Sequence, residues 1–144
     1  MFLQANIKDF KYYVRQRIGV YCKDADWMEM AFQTILKCYD ECLIQEVRNS
    51  RYNKIIEFKN GDMIKFVPAV EGARGNKFNK IFLQPGIDRE IYTTVIKPCL
   101  FNRGYAFVMD ENDFYINADY YYIKEEELEK EVKRNDVIRE IWIK

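Results

Sequence analysis

The chain has 144 residues, of which 49% are hydrophobic and 32% charged, and this composition is typical of one folded domain spanning 1–144 rather than of a disordered chain. It contains no histidine, which excludes Ser-His-Asp and Cys-His mechanisms and two-histidine metal sites built from this chain alone. The formal net charge is zero, but the charges are unevenly distributed. Residues 1–103 carry 17 Lys+Arg and 12 Asp+Glu, whereas residues 104–144 carry 6 Lys+Arg and 11 Asp+Glu. We therefore expect the basic and acidic portions to face different partners or each other.

Two further exclusions follow from composition. No stretch approaches the roughly 18 to 20 uncharged apolar residues of a membrane helix, so we expect a cytoplasmic protein without a membrane partner. The four cysteines form no Cys-x-x-Cys pair and are interpreted as reduced thiols packed as small apolar groups. Cys38 and Cys42 are expected to share one helix face and could form half of a metal site, but no histidine is present to complete the usual set, and we predict no metal.

Two helices are predicted at the N-terminal end. The first runs from Ile7 to about Cys22, with apolar residues at three- and four-residue steps and Asn6 as its cap. Its charged side is either a solvated face or a phosphate-binding face. The second begins after Asp24 or Asp26 and runs to about Val47 as the main core helix.

Residues 54–67 predict a β-hairpin. Asn60-Gly61 lies between two β-prone runs, and both residues tolerate the positive φ of a two-residue type I′ turn. This register places Lys59 opposite Asp62 and Ile55 opposite Phe66.

The middle of the chain predicts a loop, a strand and a helix. Pro68 closes the hairpin, and residues 70–79 form a loop that contains Arg74-Gly75. A buried strand at 80–83 and a turn at 84–86 precede a helix at 87–97, which Pro98 ends. Asp88 and Glu90 are either capping acids or a displaced metal pair.

The last third predicts strands at 104–109 and 113–123, a short charged helix at 124–134 and a closing strand at 137–143. Tyr120, Tyr121 and Tyr122 fall in the second strand, either packing on both faces of the sheet or forming a binding surface. The expected fold is therefore α+β: two N-terminal helices packed on a mixed or antiparallel sheet, with the hairpin at 54–67 and a short C-terminal helix.

Residues 55–100 resemble the middle of the ATPase lobe of phage terminase large subunits. The resemblance rests on the strand ending in Asn60-Gly61, the second hairpin strand, the Arg74-Gly75 loop, the apolar strand Ile81-Phe82-Leu83 and the helix after it. It implies a phage or prophage origin, and hence a location in the host cytoplasm. The sequence departs from that family where the chemistry lies, because it has no Gly-x-x-x-x-Gly-Lys-Ser/Thr phosphate loop, and Gln84-Pro85 stands where the Walker B acids are expected. The resemblance therefore implies a reused fragment rather than a working ATPase.

We expect no catalytic residues and no cofactor. The favoured function is a non-catalytic interaction protein of a phage or mobile element that binds a macromolecular partner, foremost a protein; inhibition of a host defence nuclease is one version of it. The alternative is a nucleotide- or DNA-contacting accessory of a DNA-packaging ATPase. The predicted binding residues are Arg74, Gly75, Lys77 and Lys80 in the loop, followed by Tyr120, Tyr121 and Tyr122. Arg74 could instead buttress the fold.

Overall fold

Seven strands form one mixed β-sheet. A computed structural model describes residues 15–51, 53–73, 75–109 and 115–143, and gives only the backbone of 136–143. The strands are β1 (Arg17–Cys22), β2 (Ile44–Ser50), β3 (Asn53–Phe58), β4 (Met63–Pro68), β5 (Phe78–Leu83), β6 (Leu100–Met109) and β7 (Tyr115–Asn117). Their spatial order is β2-β3-β4-β1-β5-β6-β7. The four central strands are parallel and the outer ones antiparallel, which confirms the α+β class and the mixed sheet.

Three helical regions accompany the sheet: α1 (Ala25–Lys37), a helical segment at 89–99 and α3 (Ala118–Ile143). The segment at 89–99 consists of a short α-helix, α2 (Arg89–Ile91), a π-helical turn (Tyr92–Ile96) and a 3-10 turn (Lys97–Cys99). Another 3-10 turn, Glu41–Leu43, precedes β2. In the described part of the chain, no helix is both long enough and apolar enough to cross a bilayer.

The sheet separates two hydrophobic cores. On one face, Met28, Ala31 and Phe32 of α1 pack against alternate residues of the central strands, including Val20 of β1. On the other face, the 89–99 segment and the first turns of α3 pack against the remaining residues, including Tyr21. Successive residues of β1 are therefore buried on opposite faces of the sheet.

The predicted helix at 7–22 is wrong where the structure describes it, because residues 17–22 are strand β1; residues 7–14 lie outside the described residues. A central parallel strand is buried on both faces and has an almost continuous apolar sequence. Such a run also matches helical three- and four-residue steps. Gly19 fits this central position, since a Cβ there would lie 2.7 Å from the ring of Phe78.

The second predicted helix begins correctly after Asp24 but ends at Lys37, ten residues before the predicted end. Cys38 is its C-cap, and Asp40 has extended backbone angles. Residues 44–50 instead form β2, because pairing with β3 satisfies their backbone groups at the sheet edge. Cys38 and Cys42 are consequently not on one helix face; both are exposed, whereas Cys22 and Cys99 are buried.

The β3–β4 hairpin is confirmed, but its turn and register differ from the prediction. Ile55 lies opposite Lys65, not Phe66, and Glu57 opposite Met63. The chain reverses over residues 59–61, with the Phe58 N–H donating to the carbonyl of Asp62. In this turn only Gly61 has a positive φ, of 94°. This is the pattern of a three-residue loop with a glycine bulge rather than a type I′ turn.

Of the predicted strand at 113–123, residues 113 and 114 lie outside the described residues, and the described part is a strand only over Tyr115–Asn117, because Asn117 starts a helix. Its side-chain oxygen accepts a hydrogen bond from the Tyr120 N–H at 3.2 Å, as an N-cap residue does. The C-terminal helix is therefore long rather than short, and it includes residues 137–143, predicted to be a strand. Upstream, β5 and β6 begin at Phe78 and Leu100, earlier than predicted.

Candidate functional site

In open parallel sheets, ligands bind outside the carboxyl ends of the strands. The carboxyl ends of β1 and β5 are therefore a candidate ligand site. β1 and β5 are neighbours in the sheet. The two residues Lys23-Asp24 connect β1 to α1, and Gln84 directly follows β5. The connection holds no glycine and is too short for a phosphate-binding loop of the Gly-x-x-x-x-Gly-Lys type.

Gln84 closes this edge of the sheet. Its side-chain oxygen accepts hydrogen bonds from the backbone N–H groups of Lys23 at 2.6 Å and Asp24 at 3.4 Å. Its side-chain nitrogen donates to the carboxylate of Asp24 at 2.9 Å. Gln84 is buried, and its own N–H donates to the carbonyl of Tyr21. Backbone groups that could face a ligand are thus directed to a side chain of the same chain.

The N-terminus of α1 is capped by Asp24. The carboxylate accepts a 2.8 Å hydrogen bond from the N–H of Trp27. The hydrogen bond from Gln84, together with the one from Trp27, lowers the pKa of Asp24 below its ordinary value. The carboxylate therefore stays ionised and places a negative charge where a phosphate would otherwise meet the positive end of the helix dipole.

Asp88 caps α2; the sequence left open whether Asp88 and Glu90 are capping acids or a metal-binding pair. Its carboxylate accepts a 3.1 Å hydrogen bond from the N–H of Glu90. Within the described residues, no group of three possible Cys, Asp or Glu metal ligands lies together. The capping interpretation of Asp88 is the one observed.

The predicted basic loop is divided between two places. Arg74 lies outside the described residues, and Gly75 is exposed with a φ of 94°. The ammonium of Lys77 donates to the carbonyl of Pro98 at 2.7 Å, which fastens the loop to the end of the 89–99 segment. Lys80 is an exposed residue inside β5, paired with Ile18 and Tyr105 on the neighbouring strands. Their role in binding stays a prediction.

The three consecutive tyrosines lie on the first turns of α3 and have three different environments. Tyr122 is buried: its ring stacks on Tyr92 at 4.7 Å, and its hydroxyl donates to the carbonyl of Ile87 at 2.8 Å. This burial raises its pKa. Tyr121 is half-buried against Tyr122, and Tyr120 is exposed with the ammonium of Lys124 5.0 Å from its ring centre.

A second group of aromatic residues lies on β5, β6 and β7, and the sequence did not predict it as a binding surface. We define the aromatic surface as Phe82, Tyr105, Phe107 and Tyr115. Phe82 and Phe107 are paired on β5 and β6 with ring centres 5.8 Å apart; Tyr105 lies 6.3 Å from Phe107, and Tyr115 lies 5.2 Å from Phe82. Tyr105 and Tyr115 are 57% and 59% exposed. Four rings from three strands thus form one contiguous surface.

The aromatic surface lies on the same face of the sheet as α1. Phe82 packs at the edge of the core under α1, but α1 lies chiefly over β1 and β4. Beside the helix, a cavity of about 230 Å³ is lined by Ile35, Tyr39, Lys80, Phe82 and Tyr115 among others. The signal in the sequence was the two-residue spacing of Tyr105, Phe107 and Met109, which places all three on one face of β6.

Comparison with known proteins gives a likeness at the level of fold. No protein-family profile matches the sequence, and no curated protein matches it significantly. The structure is similar to that of the ATPase domain of the large terminase from Thermus phage P74-26, with a TM-score of 0.50 and 15% sequence identity. The match covers 69% of this chain and 49% of that one, so the chain spans about half the length of that domain. The terminase resemblance is thus supported as a shared fold.

Proposed function

We propose that this chain is a non-catalytic binding protein of a phage or mobile element that uses a terminase-type ATPase fold to bind a macromolecular partner through the aromatic surface. The observation that carries the proposal is the contiguous group of four aromatic rings on one face of the sheet, in which Tyr105 and Tyr115 are more than half exposed while Phe82 and Phe107 are half-buried. Aromatic residues are enriched at binding interfaces, and a contiguous exposed group of them is uncommon on a protein that binds nothing.

The closed carboxyl edge supports the non-catalytic part of the proposal. A nucleoside triphosphate at this edge needs free backbone N–H groups, a lysine and a magnesium ligand. Here Gln84 takes up the N–H groups of Lys23 and Asp24, and Asp24 occupies the N-terminus of α1. An amide in place of an acid also provides no carboxylate to orient a magnesium-bound water.

Calorimetry with ATP and magnesium, together with a phosphate-release assay, tests this part of the proposal. We expect neither saturable binding at micromolar concentrations nor turnover. The terminase ATPase domain from Thermus phage P74-26 is a suitable comparison protein. Micromolar binding of ATP, or turnover that Gln84→Ala abolishes, would contradict the non-catalytic assignment.

The binding part of the proposal is tested with the double variant Tyr105→Ser/Tyr115→Ser. The purified protein and the variant are immobilised side by side and exposed to host lysate. We expect the wild type to retain a partner that the variant loses, while Tyr120→Ser, an exposed tyrosine on α3, retains it. If the captured partner is a host defence nuclease, inhibition is tested by adding the substrate of that nuclease to the complex. Equal retention by all three proteins would place the binding surface elsewhere.

A further inference from the structure

We infer that the aromatic surface binds single-stranded nucleic acid, with bases stacked on its rings and a phosphate held by Lys80 beside them. This inference rests on the proposed function and specifies its partner. Proteins that bind single strands combine aromatic side chains, on which bases stack, with a positively charged groove that follows the backbone. Here the aromatic surface provides the rings, and the exposed Lys80 provides a cation beside Tyr105.

The rings fit stacked bases. The planes of Phe82 and Phe107 are inclined by 27°, and those of Tyr105 and Phe107 by 24°, so each of these neighbouring pairs is close to parallel. Tyr105 and Tyr115 expose more than half of their surface. An open sheet face with aromatic residues on adjacent strands is also how a common class of RNA-binding domain stacks two or three bases.

The charge around the rings favours an anionic ligand. β1, β5 and β6 are neighbours, and the segments that contain them, 15–23, 75–86 and 100–109, hold six cations and no carboxylate. The six are Arg15, Arg17, Lys23, Lys77, Lys80 and Arg103. Salt bridges in the described part of the chain use other cations: Arg48, Lys54, Arg89, Lys97 and Lys130. A chain of zero net charge therefore has one region in which the cations are not balanced by acids of the same strands.

Of these cations, Lys80 lies beside the rings: it is paired with Tyr105 and lines a cavity with Phe82 and Tyr115. The ammonium of Lys77 instead donates to the carbonyl of Pro98, in the segment that packs on the opposite face. Five of the six precede their strand or lie in its first half; the exception is Lys23, at the end of β1. Carboxylates adjoin one of these segments: Asp24 directly follows Lys23, and the carboxylate of Asp62 accepts a 2.9 Å hydrogen bond from the N–H of Gln16. The phosphates are therefore expected beside Lys80, with the bases directed toward the rings.

Fluorescence anisotropy with a labelled 20-nucleotide oligo-dT at low salt tests the inference. We expect saturable binding, and weaker binding of a 20-base-pair duplex, whose bases are already stacked in pairs. Oligo-U should bind within a few-fold of oligo-dT, because the stacking rings contact bases rather than the sugar. Tyr105→Ser and Tyr115→Ser should each weaken binding about tenfold, the effect of losing one stacked base.

Conservative and matched variants separate stacking from folding. Tyr105→Phe retains the ring and should retain the affinity, and Tyr120→Ser should leave it unchanged, because Tyr120 lies on α3 away from the surface. Lys80→Ala should reduce the slope of log affinity against log salt by about 1. All four residues changed are exposed, so the thermal midpoints should remain those of the wild type.

Three results would overturn the inference. They are the absence of saturable oligo-dT binding at low salt, equal affinity for the duplex, and unchanged affinity in Tyr105→Ser/Tyr115→Ser. Concentration-dependent dimerisation abolished by the double variant would assign the surface to a second copy of the chain. If oligonucleotides do not bind but the double variant still loses a protein partner from lysate, the proposed function stands and this inference falls.

Discussion

The side-chain amide of Gln84 donates a 2.9 Å hydrogen bond to the carboxylate of Asp24, and so connects the end of β5 with the start of α1. The same side chain accepts from the backbone N–H of Lys23. One buried amide thereby joins two neighbouring strands and a helix N-terminus across 60 residues of sequence. Substitution of either partner measures what this contact contributes to stability.

Gln84→Glu should destabilise the protein by about 1–3 kcal/mol at pH 7, because a carboxylate would replace the donor that faces Asp24 and the two charges would repel. The loss should diminish as the pH is lowered toward 4, since protonation of one carboxyl restores a donor. Urea denaturation at both pH values measures the effect. Gln45→Glu, on the exposed strand β2, is the control and should change little; an equal loss in both variants would contradict the assigned role of Gln84.

Asp24→Asn should make the stability less dependent on acid pH. The folded-state pKa of Asp24 is lowered, mainly by Gln84 and then by Trp27. Its contribution is therefore complete above the unfolded pKa of about 4 and is lost as the pH falls through the lower folded pKa. Asparagine still caps a helix, so the fold should persist.

Thermal midpoints between pH 7 and pH 2 test the change at Asp24. The difference between the wild type and Asp24→Asn should shrink toward pH 2. Asp26→Asn, in the first turn of the same helix, is the matched control. A difference that stays constant with pH would show that the charge of Asp24 does not stabilise the folded state.

A series of Gly→Ala substitutions should separate backbone strain from contact. Gly61 and Gly75 both have φ of 94°, but a Cβ on Gly61 would lie 2.8 Å from the side chain of Arg15, while one on Gly75 would meet nothing within 4 Å. Gly72, with open space and no positive φ, is the control. We expect Gly72→Ala to be neutral, and Gly75→Ala and Gly61→Ala each to cost about 1 kcal/mol or more. Equal midpoints for Gly61→Ala and Gly72→Ala in urea would contradict the positive φ in the β3–β4 turn.

Removing Glu29 should destabilise the fold more than replacing Lys54. The ammonium of Lys54 is buried, 2.6 Å from the carboxylate of Glu29, 2.6 Å from the side-chain oxygen of Asn49 and 5.6 Å from the ring centre of Phe32. Glu29→Ala leaves this charge without its carboxylate, whereas Lys54→Met removes the charge and keeps apolar contact with Phe32. Chemical denaturation of both variants gives the order, and a larger loss in Lys54→Met would reverse this interpretation.

The sequence by itself determined the features that depend on local geometry. Asn60-Gly61 located the β3–β4 hairpin, Asp24 and Asp26 limited the start of α1 to two positions, and Pro68 marked the end of β4, because turns, caps and prolines act through the few residues around them. The absence of a phosphate loop was equally visible in sequence. The aromatic run Tyr120–Tyr122 resembled a strand in sequence, although it forms the first turns of α3.

Only the tertiary structure decided which apolar segments became strands of the central sheet and which surface stayed open. β1 resembled a helix because a strand buried on both faces has no alternation, and its identity follows from pairing with β4 and β5, more than 40 residues away. Gln84 meets Lys23 and Asp24, and Phe82 meets Phe107 and Tyr115, only after those strands are side by side. Contacts between distant segments leave no periodic trace in either segment, and so neither the closed edge nor the aromatic surface could be predicted from the sequence.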